Sequence, residues 1–114
     1  MAGRGGPPTE QEAAALDRLR VICRDLAPCE EALSYGNPAF KRGKTPFVIL
    51  DRYQGAACLW LLVDPVLRDE QVQQPGWFAS PYDPRQRALC CPLDALDWSA
   101  VGPLVASAHR LAGR

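Results

Sequence analysis

At 114 residues the chain has the length of one domain, and such a domain buries about two-thirds of the surface its unfolded form exposes. Thirteen Lys and Arg balance thirteen Asp and Glu, which excludes a global positive field for nucleic acid or an anionic membrane; any such contact must come from a local patch. Residues 1–8 lack the apolar run of a signal peptide and no segment approaches the roughly 20 apolar residues of a membrane span, so the expectation is a cytoplasmic protein without membrane association.

In chain order, residues 1–8 read as a flexible Gly/Pro tail and 9–114 as a single domain. Thr9 and Glu12 have capping-box spacing, and Leu16, Leu19, Ile22, Cys23 and Leu26 recur at helical steps, so a first helix is expected from Thr9 until Pro28 ends it. Ser34 to Phe47 combines the turn formers Gly36-Asn37-Pro38 and Arg42-Gly43-Lys44 with the strand anchors Ala39, Phe40 and Phe47. It predicts a first strand that turns through Lys41 to Lys44 into a second, Thr45 to Asp51. Gln54-Gly55 is the expected turn into a third strand, Ala57 to Val63, whose two apolar faces are Leu59, Leu61 and Val63 on one side and Cys58, Trp60 and Leu62 on the other. Asp64-Pro65 starts a short helix to about Gln73, and Pro75-Gly76 breaks it. An irregular segment follows through Trp77, Phe78, Pro81, Tyr82 and Pro84, then a fourth strand from Arg87 to Leu93. Asp97 caps the last helix, whose stripe is Trp98, Val101, Leu104, Val105, Ala108 and Leu111, with a kink or a fresh start at Gly102-Pro103.

Five cysteines (Cys23, Cys29, Cys58, Cys90, Cys91) form an odd set without a CxxC pair, so they read as free, mostly buried thiols rather than a disulfide framework or zinc site. No metal site and no cofactor are implied. Glu30 and Glu31 with Asp17 and Asp25 are interleaved with Arg18, Arg20 and Arg24, a poor cage for a hard cation. His109 is the only histidine and lacks a nucleophile or metal partner in the pattern, so it reads as a helix-surface residue near the helix end and the chain as a non-enzyme.

Tyr35, Gly36, Pro38, Phe40, Gly43, Lys44 and Phe47, followed by the closing pattern Asp97, Trp98, Ser107, Arg110 and Leu111, give the chain a resemblance to the MmcQ/YjbR family of small bacterial proteins, running from about Leu16 to Leu111. The resemblance implies an α+β, CyaY-like sandwich: an antiparallel sheet of about four to five strands with the N- and C-terminal helices packed on one face. It also implies DNA as a partner, bound through the sheet and its hairpins. The chain departs from that pattern at Leu62 and at Ala88-Leu89-Cys90, which with Val48, Leu50 and Trp60 makes the sheet face away from the helices apolar rather than cationic, and separately at His109 in the closing motif.

Two candidate surfaces follow. Lys41, Arg42 and Lys44 on the hairpin tip, with Arg52, Arg85 and Arg87, are the candidate phosphate contacts. Val48, Leu50, Trp60, Leu62 and Cys90 are the candidate apolar face, suited to a planar small molecule, a partner or a second copy of the chain in a weak homodimer; otherwise the protein is a monomer. Trp98 is expected in the core and Trp60 partly exposed.

Overall fold

The computed structural model describes residues 7–81 and 83–114; residues 1–6 of the expected tail, and Tyr82, lie outside the described residues. Helix α1 (Glu10–Cys23) begins with the expected capping box: Thr9 Oγ1 accepts from the Glu12 amide at 3.1 Å, and Glu12 Oε1 accepts from the Thr9 amide at 3.0 Å. The helix stops at Cys23, five residues before Pro28.

Six strands follow as one antiparallel sheet, in the spatial order β1-β2-β3-β4-β6-β5. They are β1 (Glu30–Ser34), β2 (Asn37–Arg42), β3 (Thr45–Tyr53), β4 (Ala56–Leu62), β5 (Phe78–Ala79) and β6 (Ala88–Pro92). Helix α2 (Pro65–Gln71) links β4 to β5, and after a single 3-10 turn, Leu93–Ala95, helix α3 (Trp98–Ala112) closes the chain. The sheet is thus larger than the four or five strands expected. The extra members are the edge strand β1, whose Glu30-Glu31 start carries no apolar signal, and the two-residue β5.

Turn chemistry explains the hairpins. Tyr35 and Gly36 (φ 51° and 81°) and Gln54 and Gly55 (φ 51° and 82°) place two successive left-handed residues between strands, the geometry that matches strand twist in tight hairpins. Asp64 caps α2 by accepting from the Val66 amide at 2.9 Å, and Asp97 caps α3 by accepting from Ser99 at 3.0 Å. Helix α3 runs as one element through Pro103, which is exposed and early in the helix, so the carbonyl it leaves without an amide partner, that of Ser99, belongs to an exposed residue.

Both helices pack on one face of the sheet. Ala15, Leu19 and Cys23 of α1 and Val101, Val105 and Ala108 of α3 are buried in one cluster with Val48, Leu50, Leu59, Leu61 and Leu89. Cross-strand partners share a face, and the register pairs Val48 with Leu61, Leu50 with Leu59 and Leu59 with Cys91. Val48 and Leu50 therefore face the helices, contrary to their assignment to the open face. The register shifts between Phe40 and Lys41: Phe40 pairs with Val48 but Lys41 with Pro46, leaving Phe47 as the extra residue of a β-bulge on β3. The bulge lets Phe47 and Val48 both point to the helices, and the Phe47 ring meets His109 of α3 edge-on, centroids 5.2 Å apart at 81°.

His109 is the second departure. It is buried, 6% exposed, rather than on the helix surface. Its Nε2 lies 2.9 Å from the Pro28 carbonyl and its Nδ1 3.4 Å from Arg42 NH1. A guanidinium only donates, so the arrangement has Nδ1 accepting from Arg42 and Nε2–H donating to the Pro28 carbonyl. Trp98 is half-buried rather than core, with the Arg18 guanidinium 5.1 Å from the centre of its ring.

Candidate nucleic-acid interface

The six candidate cations divide into two groups. Arg42 turns back onto α3, where NH1 donates to the His109 carbonyl at 3.2 Å, beside the negative end of the helix dipole. Arg52 is 22% exposed and clamps the buried Glu12 with two bonds, Nε to Oε2 at 3.1 Å and NH2 to Oε1 at 2.8 Å; NH2 also donates to the Pro7 carbonyl. Both side chains tie the sheet to the helices. Their partners lie 67 and 40 residues away in sequence, beyond the reach of local pattern.

Lys44, Arg85 and Arg87 are exposed and Lys41 half-buried. They come from two turns at the same end of the sheet. Gly43, at φ +62° with open space around it, forms the β2–β3 turn that carries Lys41 and Lys44. Asp83 organises the other turn: its Oδ2 accepts from the Arg87 amide and from the Ala88 amide, while its carbonyl accepts from Gln86. Between the turns lies a cleft of about 240 Å³, with Trp60 and Leu62 lining it from the sheet, Thr45 and Pro46 on the hairpin side, and Asp83, Pro84, Arg85 and Arg87 on the other.

Trp60 is half-buried, but Leu62 and Cys90 are buried, so the expected apolar platform is reduced to the Trp60 end. The rest of that face is roofed. Phe78 pairs with Cys90 on the edge of the sheet, and its ring lies 5.2 Å from Tyr53 of β3. Strands β4 and β6 lie between those two residues, so the rings meet above the sheet. Burial pushes the Cys90 thiol up to about 12 and raises that of Cys58. Burial likewise lifts Cys23 to about 12 and Cys91 to about 11, leaving all four as protonated core groups at neutral pH.

Two of the acids near α1 are engaged by one arginine. Arg20 binds Glu31 through Nε at 2.8 Å and Asp17 through NH1 at 3.0 Å, and its hydrogen bonds to Glu31 hold that carboxyl below its usual range. Among the described residues no group of three or more His, Cys, Asp or Glu side chains is placed to hold a metal ion. No helix among them is long and apolar enough to cross a membrane.

A second hollow, about 490 Å³, lies between the end of α2 and the start of α3, with Trp77, Pro75, Leu96 and Leu104 among its lining residues and Gln71, Gln74 and Asp97 as its polar ones. Sequence reasoning missed it. Its one visible signal is Trp77, placed directly after the Pro75-Gly76 break. Gly76 is at φ +85°, and a Cβ there would fall 2.6 Å from that of Ala95, so the segment lies tight against the 3-10 turn.

No family model matches the chain, and no curated protein matches it significantly. Two crystal structures are similar in fold. One is the Deinococcus radiodurans protein DR2400, which carries the family-model domain DUF419: TM-score 0.73 at 22% identity, covering 87% of this chain and 78% of that one. The other is a protein from Pseudomonas syringae, with TM-score 0.66 at 10% identity, covering 84% of this chain and 97% of that one. DUF419 is the MmcQ/YjbR family, so the neighbour is consistent with the resemblance in sequence. The chain is an α+β protein with an open six-stranded antiparallel sheet and both terminal helices on one face, a fold that it shares with these two structures.

Proposed function

We propose that this chain is a non-enzymatic, cytoplasmic nucleic-acid-binding protein of the MmcQ/YjbR type that holds DNA phosphates with Lys41, Lys44, Arg85 and Arg87. The observation that carries this reading is the convergence of two cation-bearing turns on one end of the sheet beside a half-buried tryptophan. A local cluster of this kind is what a chain of zero net charge requires for phosphate contact.

The test is an anisotropy titration with labelled DNA of mixed sequence at about 50 and 200 mM salt. Saturable binding that weakens steeply with salt is expected, with log K falling by about 0.7 to 0.9 per phosphate contact for each unit of log salt. A variant reversing all four cations should lose it while keeping its circular dichroism. Absence of binding by the native chain at high protein concentration rejects the reading.

A planar small molecule is the second reading, favoured by the position of Trp60 in the cleft. At about 240 Å³ the cleft falls below the roughly 300 to 1,000 Å³ usual for small-molecule sites, which ranks this reading second. Quenching of tryptophan fluorescence by a panel of planar compounds, unchanged in Trp60→Ala, would remove it.

A further inference from the structure

We infer that the cleft takes one unpaired nucleobase, so that the preferred ligand is single-stranded DNA rather than duplex. This rests on the proposed reading and specifies what the site selects. Three observations point the same way. First, the cleft is about 240 Å³, room for a single ring system and little more. Second, Trp60 is half-buried, so its ring is held by the sheet while part of its surface stays accessible. Third, cations flank the ring site: Arg85 and Arg87 are exposed residues of one wall, and Lys44 is exposed on the turn that leads to the other.

That is the arrangement a single strand requires, an aromatic surface for one base and separate cations for the backbone on either side. A duplex cannot use it. Its bases present only their edges in the grooves, and reaching Trp60 would require unpairing and extruding one of them at a cost of a few kcal/mol. The Asp83 carboxylate also lines the cleft, but it is turned to the Arg87 and Ala88 amides and holds the wall in shape. Pro46 and Pro84 add rigid apolar walls to the slot.

The experiment compares a labelled 12-nucleotide oligothymidine with a duplex of equal length, for the native chain, Trp60→Ala, Trp60→Phe and the double variant Arg85→Ala, Arg87→Ala. Single strand should bind the native chain at least about tenfold more tightly. Trp60→Ala should weaken single-strand binding about tenfold and so remove the preference, and Trp60→Phe should restore most of it. The arginine variant should weaken both ligands. Tryptophan quenching on addition of oligothymidine should be largely lost in Trp60→Ala. Equal affinity for the two ligands in the native chain overturns the inference and leaves the phosphate reading standing. A single-strand preference that survives in Trp60→Ala overturns the site. Failure to bind either ligand overturns the underlying reading as well.

Discussion

Replacing His109 by alanine should unfold this protein far more readily than a helix-surface histidine would allow. The ring is buried against Phe47, and one edge-to-face aromatic contact contributes about 1 kcal/mol. The Nε2 bond to the Pro28 carbonyl adds about 1 kcal/mol. The void left in the core, which α3 and the β2–β3 hairpin cannot fully close, adds about as much again. Together these give a loss of about 3 kcal/mol, a large part of the roughly 5 to 15 kcal/mol that holds a domain together. For a chain of this length that corresponds to a fall in Tm of about 12 °C. Urea titration followed by tryptophan fluorescence reads the change as a lower midpoint at constant m. His109→Phe is the control. It keeps the ring and its contact with Phe47 but loses both polar partners, so it should cost about a third as much. A His109→Ala loss below about 0.5 kcal/mol, the range of surface substitutions, would refute the buried, hydrogen-bonded reading of this residue.

Leu50→Ala should cost about 2 to 5 kcal/mol by the same measurement, because Leu50 sits in the core under the helices; a negligible cost would return it to the open face. Lys44→Ala should reduce the salt slope of DNA binding by about one phosphate contact without changing stability, whereas Arg42→Ala should lower stability and leave the slope unchanged. Any loss of slope from Arg42→Ala that equals that from Lys44→Ala contradicts their separation. The native chain should react with iodoacetamide at pH 8 chiefly at Cys29, the one cysteine that is not buried, while unfolding exposes all five; rapid native labelling of Cys90 would contradict its burial. Burial raises the Cys23 and Cys90 thiols from 9.0 to about 12, so the unfolded chain releases those protons first. Stability should therefore be fully present below about pH 9 and be lost as pH climbs toward 12, as alkaline urea titrations would read.

The layout was legible because each boundary carries its own chemistry. Thr9 with Glu12, Asp64-Pro65 and Asp97 announce the three helices, and Gln54-Gly55 announces a hairpin, all within a few residues of the backbone groups they satisfy. What stayed hidden was phase. Strands β3 and β4 are apolar on both faces, so alternation could not say which set meets the helices, and Val48 and Leu50 were placed on the wrong side. The edge strand β1 was missed because an exposed strand with two leading glutamates resembles a loop. Of the candidate site, Trp60, Lys44, Arg85 and Arg87 were legible as special residues, but their convergence depends on strand order, which brings the turn before β6 beside the turn before β3. The buried role of His109 needed Pro28 and Phe47, neither of them near it in sequence.

The bulge at Phe47 also makes the length of β3 count separately from its sequence. Upstream of it Pro46 pairs with Lys41 on the cleft side, and downstream Val48 pairs with Phe40 on the helix side. Deleting one residue there would put the two halves of the strand out of step. If Val48 and Leu50 stayed in the core, Pro46 would rotate away from Trp60; if the hairpin kept its aim, the core residues would rotate into solvent. Substitutions at the cation-bearing turn and in the core can therefore accumulate independently. An indel between Arg42 and Val48 affects both at once, so the spacing across this short interval records the cleft's requirement more strictly than the identity of any residue within it.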